Sequence, residues 1–260
     1  MTTTSYTREA IDLSGVTGDW ISVTGLGGGV AWLRNRAENG SLVVAATGQG
    51  EPRPGEWGRT PADGVFTNAP DSPTAMAFLA TFEGDGVTST LESYQAVGVM
   101  TGHTFHRYTD GSGRRDYFTR EFYVPAAGRR PEPAGEFPAV LLSGRNAPGR
   151  LLGTWTCLAA AGEQRIATLE CDLVDGEFTV RADAAGADGP VDLGTTASVL
   201  YADAAFPHSP PAFLATFDSG GTRVHLQARI NRGVLVVCEF VRFTDGSGRS
   251  DFFMRECFRQ

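Results

Sequence analysis

The sequence predicts an all-β protein made of two tandem copies of one fold. Three observations predict it: short β-rich runs separated by hairpin turns, no amphipathic helix of three turns, and a self-match of the chain at a shift of 135 residues. The self-match is explicit in the residues. Gly18-Asp19-Trp20 falls on Gly153-Thr154-Trp155, and Phe78-Leu79-Ala80-Thr81-Phe82 on Phe213-Leu214-Ala215-Thr216-Phe217. Thr109-Asp110-Gly111-Ser112-Gly113-Arg114 falls on Thr244-Asp245-Gly246-Ser247-Gly248-Arg249. The predicted plan is a first β-barrel over 1–125, a linker and lead-in over 126–148, rich in Pro and Gly, and a second β-barrel over 149–260.

Taken in order, the first copy reads as eight strands near 18–25, 30–36, 41–47, 64–68, 75–83, 87–94, 97–109 and 114–124. The second repeats them near 153–160, 164–172, 177–183, 197–202, 211–218, 222–229, 234–244 and 249–258. Glu38-Asn39-Gly40, Glu83-Gly84-Asp85-Gly86, the stretch Gln95 to Gly98 and Asp110-Gly111-Ser112-Gly113 supply the hairpin turns. Eight sequential antiparallel strands suit a closed up-and-down barrel, because closure removes exposed edges. A β-sandwich is the alternative, but its long crossovers have few places to fit. The connections Gly48 to Asp63 and Ala184 to Ala197 read as long loops, the first carrying Trp57 as a lid or as a packed surface residue.

Side-chain alternation assigns the faces. A four-residue loop at 83–86 pairs Phe82 with Val87, Ala80 with Ser89 and Phe78 with Leu91, giving one apolar face opposed to Thr88, Thr90, Glu92 and Tyr94. The same register turns Thr104, His106, Tyr108, Tyr117, Thr119, Glu121 and Tyr123 inward, with His106 beside Tyr117. It turns Arg107 and Asp116 outward as a cross-strand pair, repeated as Arg242 and Asp251. Phe105, Phe118, Phe240 and Phe253 also point outward, as surfaces for packing of the two barrels. The two interiors differ: His106–Tyr117 becomes Val241–Phe252, Tyr108 becomes Phe243, and Thr104 becomes Glu239.

Composition excludes several chemistries. The formal charge is −8, with no basic cluster, which argues against nucleic acid or an anionic membrane as partner. No apolar run nears 18 residues and the first residues hold no apolar signal core, so no membrane span or secretory leader is expected. All 22 basic residues of the Lys and Arg class are Arg, which rules out Schiff-base and P-loop lysine chemistry. The four cysteines, Cys157, Cys171, Cys238 and Cys257, form no C-x-x-C and read as reduced thiols of a cytoplasmic protein, with no zinc framework. His103 and His106 lack further ligand-type neighbours, so no metal or cofactor is expected. Homo-oligomerisation is left open.

With Gly18-x-Trp20 and Gly153-x-Trp155 on the first strands and Arg120 and Arg255 on the last, each half resembles a lipocalin or calycin barrel. The resemblance implies that the indole closes one barrel end with the arginine stem across it. It also implies an apolar ligand in a barrel or between barrels. The T-D-x-x-Y motif, disulfide and terminal helix of secreted lipocalins are not evident, so the resemblance is at the superfamily level. Tandem lipocalin-like proteins include cofactor-free cyclases, and on that analogy the first expectation is a cofactor-independent cyclase or isomerase of specialised metabolism. His106 is then the general acid or base, with Tyr117 and Tyr108 as donors to a developing oxyanion. Phe78, Phe82, Leu91, Met100, Thr104, Thr119, Glu121, Tyr123, Trp57 and Glu239 are the candidate ligand-binding residues. The alternatives are an intracellular carrier or sequestering protein for a hydrophobic molecule, and a scaffold with filled barrels.

Overall fold

A computed structural model of the chain describes residues 11–25, 27–50, 53–84, 86–159, 165–186 and 189–260. The protein is all-β, and its strand pairings include a closed barrel. The first half contributes β1 (Gly18–Ser22), β2 (Val30–Glu38), β3 (Ser41–Gly48), β4 (Gly55–Pro61), β5 (Gly64–Thr67), β6 (Ala75–Gly84), β7 (Val87–Ala96), β8 (Val99–Tyr108) and β9 (Tyr117–Pro125). The second contributes β10 (Gly153–Cys157), β11 (Ile166–Val174), β12 (Glu177–Gly186), β13 (Gly189–Ala197), β14 (Val199–Asp203), β15 (Ala212–Ser219), β16 (Thr222–Asn231), β17 (Val234–Phe243) and β18 (Phe252–Arg259). Among the described residues each half therefore has nine strands where eight are expected from sequence. The additions are β4 and β13, inside the connections read as loops; β4 carries Trp57.

Two compact units are present. One extends to Arg145 and takes in Tyr201–Ser209; the other comprises Asn146–Leu200 and Pro210–Gln260. In the first unit, β1 to β4 form one antiparallel meander and β5 to β9 another. They are joined where β9 pairs with β1 through Trp20↔Pro125 and Ser22↔Tyr123. At the opposite seam the Ala62 amide donates to Leu42 and the Asp63 amide to Leu79, bridging β3 and β6. In the second unit β10 to β13 and β15 to β18 form the corresponding ladders, with β10 paired to β18.

The register corrects two expectations and preserves a third. Gly84 pairs with Val87, so the turn is two residues long, and Phe82 faces Ser89, Ala80 Leu91 and Phe78 Ser93. This is a two-residue shift from the expected pairs, and a shift of two leaves every side chain on its predicted face. The repeat offset is not constant either. Trp20 matches Trp155 at 135, but Leu33, opposite Trp20, matches Leu169, opposite Trp155, at 136. The offset of 136 runs through β4, where Gly58 and Gly194 sit at φ 88° and 89° beside matching bulges. A left-handed residue at a bulge is where glycine is needed. From β6 onward the offset is 135 again.

Both interiors are apolar at one end. In the first half a 3-10 turn, Leu13–Gly15, leads to the fully buried Val16, whose carbonyl accepts from Asn35 Nδ2 at 2.9 Å. In the second, Gly149–Leu151 does the same, and the Leu151 carbonyl accepts from Trp155 Nε1 at 2.8 Å. The indoles thus point inward as expected, but Arg120 does not lie across Trp20. It sits on the outer face, opposite His103, with its guanidinium 5.2 Å from the Phe122 ring.

The outward aromatics are covered. Phe105 and Phe118 stack at 5.5 Å, and Tyr201 lies edge-on to Phe105 at 5.0 Å. Tyr201 belongs to the segment counted with the first unit, where Ala202 and Asp203 pair in parallel with Tyr117 and Phe118. The outward Arg–Asp pair is also present: Arg242 Nε lies 3.4 Å from Asp251, which accepts the Phe243 amide.

Candidate functional site

The end of the first half near the Gly25–Gly29 stretch is filled by a polar and aromatic plug. His106 on β8 and Tyr117 on β9 pair directly across the ladder, and both are buried. Their rings stack at 4.5 Å. Trp57 meets His106 edge-on at 5.5 Å and Phe82 at 5.7 Å. Arg53 lies over the Trp57 ring at 4.9 Å and receives the indole N–H on its carbonyl at 2.9 Å. Phe137 closes on Tyr117 edge-on at 5.1 Å.

Hydrogen bonds in the plug fix the histidine. Arg53 Nη1 donates to Ser89 Oγ at 3.1 Å and to the Phe82 carbonyl at 3.2 Å, while Nη2 donates to the Glu83 carbonyl at 3.2 Å. Ser89 Oγ lies 2.9 Å from His106 Nδ1. With the Arg53 guanidinium donating to it, the Ser89 hydroxyl has its own proton free to give, an arrangement that suits Nδ1 as acceptor and the hydrogen on Nε2. Burial, and then the Arg53 charge, hold His106 neutral, with its pKa down to about 3; the Gly28 carbonyl acts the other way. That carbonyl accepts from Tyr117 Oη at 3.2 Å. Burial raises the Tyr117 phenol well above its ordinary value. Tyr108 is half-buried, under the Arg114 guanidinium at 4.0 Å.

The segment expected to be a linker is part of this closure. Gly135 donates to the Gly25 carbonyl at 2.8 Å, Glu132 to Ser22 at 3.4 Å, and Arg115 to Leu141 at 3.1 Å. A side chain at Gly27 would strike the Gly135 carbonyl at 2.5 Å, a measure of how closely the two segments approach.

One layer deeper lies an inward-facing acid. Glu121 is buried, and its pKa is raised to about 8 by desolvation, against the opposing effects of the Thr119 hydroxyl and the Val30 amide. Thr104 and Thr119 are paired across β8 and β9. Tyr123 donates to the Val30 carbonyl at 3.2 Å. Phe78, Phe82, Leu91, Met100 and Tyr123 are packed in the core of this half with Trp57. The inward set read from sequence is thus brought together in the buried interior of this half.

The second half is different at the same place. Counting from the matched pairs Gly48↔Gly55 and Ala184↔Val191, Gly189 takes the place of Arg53 and Leu193 that of Trp57. Val224 replaces Ser89, Val241 replaces His106, and Phe252 replaces Tyr117. A hollow of about 310 Å³ results, bordered by Ala184, Val191, Leu193, Thr222, Val224 and Val241. Its polar edge is small: Thr222 Oγ1 donates to the Ser219 carbonyl at 2.8 Å. Sequence reasoning missed this site by seeking polar side chains. The run of apolar replacements at the plug positions was the available signal.

Among the described residues no group of three or more His, Cys, Asp or Glu is placed to hold a metal ion, and no helix is long and apolar enough to cross a membrane. All four cysteines are free thiols. No protein-family profile, curated protein or solved structure matches the chain.

Proposed function

We propose that the protein binds a small apolar molecule in the open end of its second half, each half being a lipocalin-like barrel and the first a plugged counterpart. One observation carries the reading: every member of the Arg53–Trp57–Ser89–His106–Tyr117 plug is exchanged for glycine or an apolar residue, and the exchange coincides with a hollow. Its size is at the lower end of the range for small-molecule sites, which favours a compact ligand. Burial of apolar surface against Leu193, Val224 and Val241 supplies the affinity.

This supports a carrier or sequestering protein over a cyclase or isomerase. The hollow is bordered by aliphatic side chains and two hydroxyl residues, a border that offers apolar contact and not a general acid or base. In the first half the imidazole has Nδ1 engaged by Ser89 and its charge suppressed by burial first and then by Arg53. Free thiols throughout fit a reducing, cytoplasmic setting.

Naphthalene is a suitable probe, with binding followed by titration calorimetry. The native chain should bind it, and Leu193→Trp, which restores the plug's indole at the matching position, should weaken binding at least about tenfold. An affinity unchanged by Leu193→Trp contradicts the assignment.

A further inference from the structure

Beneath the hollow of the second half lies a buried acid whose hydrogen-bonding capacity is half used. Glu239 on β17 is fully buried. Its Oε2 accepts the Ile166 amide at 3.2 Å, and Oε1 has no partner among the described residues. Ile166 pairs with Ala184, which borders the hollow, and Val241, two residues farther along the same face of β17, borders it too. The register therefore places Glu239 one layer below the residues that border the hollow.

Comparison with the first half shows that this placement is specific. There the matching amide, that of Val30, is faced by a carboxyl from a different strand, Glu121 on β9, while Thr104 occupies the Glu239 position. In the second half the counterpart of Glu121 is Glu256, which is drawn away to Arg165 at 2.5 Å. Arg165 in turn stands where the first half has Gly29, a residue whose added Cβ would lie 1.9 Å from Glu121 Oε1. Both halves thus keep a carboxyl at this amide, and the one from β17 lies below the hollow.

A buried acid in an apolar site is held in its neutral form, which offers one O–H donor. Thr222 has given its own proton to Ser219. We propose that Glu239 donates a hydrogen bond to the ligand, so that the molecule taken up is an apolar body bearing one acceptor oxygen, such as a ketone, ester or ether. This rests on the open end of the second half being the ligand site.

The test compares naphthalene with naphthyl methyl ketone, an apolar body of similar shape with one carbonyl. In Glu239→Leu the ketone-to-hydrocarbon affinity ratio should fall about fivefold, the loss of one net hydrogen bond. In Glu239→Gln, whose amide still donates, the ratio should be kept. In the native chain it should decline as pH rises through about 8, where the buried acid ionises. The other groups facing Glu239 are Glu256 on β18, Arg165 ahead of β11 and Cys157 on β10, so Glu239→Gln should also remove this pH dependence. A ratio that still falls with pH in Glu239→Gln assigns the effect elsewhere and overturns the proposal. So does an unchanged ratio in Glu239→Leu with both probes bound, and that result leaves the site itself intact. Failure of the native chain to bind either probe removes the site, and the proposal with it.

Discussion

The two halves share a strand plan, a bulge at Gly58 and Gly194, and an end closed by a 3-10 turn, yet they treat the opposite end in contrary ways. In the first, Arg53, Trp57, Ser89, His106 and Tyr117 interlock; in the second, Gly189, Leu193, Val224, Val241 and Phe252 stand at those places around a hollow. The difference teaches that this end of the first half is kept closed by a linked polar set and not by the sheet alone. A guanidinium that satisfies three oxygens and carries an indole is a unit: losing any member leaves the rest with buried polar groups unpaired.

The largest expected effect comes from erasing the difference. Arg53→Gly combined with Trp57→Leu should destabilise the protein by about 4 kcal/mol, through a cavity and unpaired polar groups. Urea denaturation measures this. The surviving folded protein should gain naphthalene binding in its first half; loss of stability without any gain would show that plug removal alone does not make a site.

Next is the Glu121 pocket. Gly29→Ala drives a methyl group onto Glu121 Oε1 and should cost about 2 kcal/mol by overpacking. The matching change in the second half, Arg165→Ala, breaks a partly exposed ion pair with Glu256 and should cost under about 1 kcal/mol. Equal losses in the two urea titrations would contradict the exchange of partners described above.

Acid–base linkage sharpens the comparison further. Glu121 and Glu239 have pKa values raised to about 8, above the unfolded carboxylate range, so folding takes up protons between about pH 4.5 and 8. His106, lowered to about 3, opposes this below about pH 6.5, where the unfolded imidazole is protonated and the folded one is not. Stability should therefore fall as pH rises from about 6.5 to 8, through the range in which the two folded acids give up their protons. Glu121→Gln should halve that slope, as read from denaturant midpoints at several pH values. A flat profile in the native chain would place both carboxyls in contact with water.

The smallest effect concerns a turn. Val97 occupies φ 52° at the tip of the β7–β8 hairpin and is fully exposed, whereas Asn39 holds the same conformation in the β2–β3 turn. Val97→Asn should stabilise by about 1 kcal/mol, seen as a rise of a few degrees in Tm.

Much of this was legible in the sequence because strand alternation has a period of two. The 83–86 turn was read two residues too long, and the faces survived because the error was even. His106 beside Tyr117 and the inward Glu121 followed from the same parity. Strands β4 and β13 were hidden because GEWGRTP and GPVDLGTTA carry Gly and Pro without apolar alternation, being held to their neighbours mainly by the ladder. The change of offset at β2 was concealed by strong matches on both sides of it. The part of Arg53 in the plug could not be read, since it is held through the backbone carbonyls of Phe82 and Glu83, which no side-chain pattern reports. The hollow was legible in principle, as five concerted replacements, once the offset of 136 is known.

The most direct test is a methyl chemical-shift titration of the native chain with naphthalene. The account predicts that the methyl signals of Leu193, Val224 and Val241 move together and saturably, while those of Leu91 and Val44 in the first half stay in place. Movement confined to Leu91 and Val44, or none at Leu193, Val224 and Val241, would contradict it.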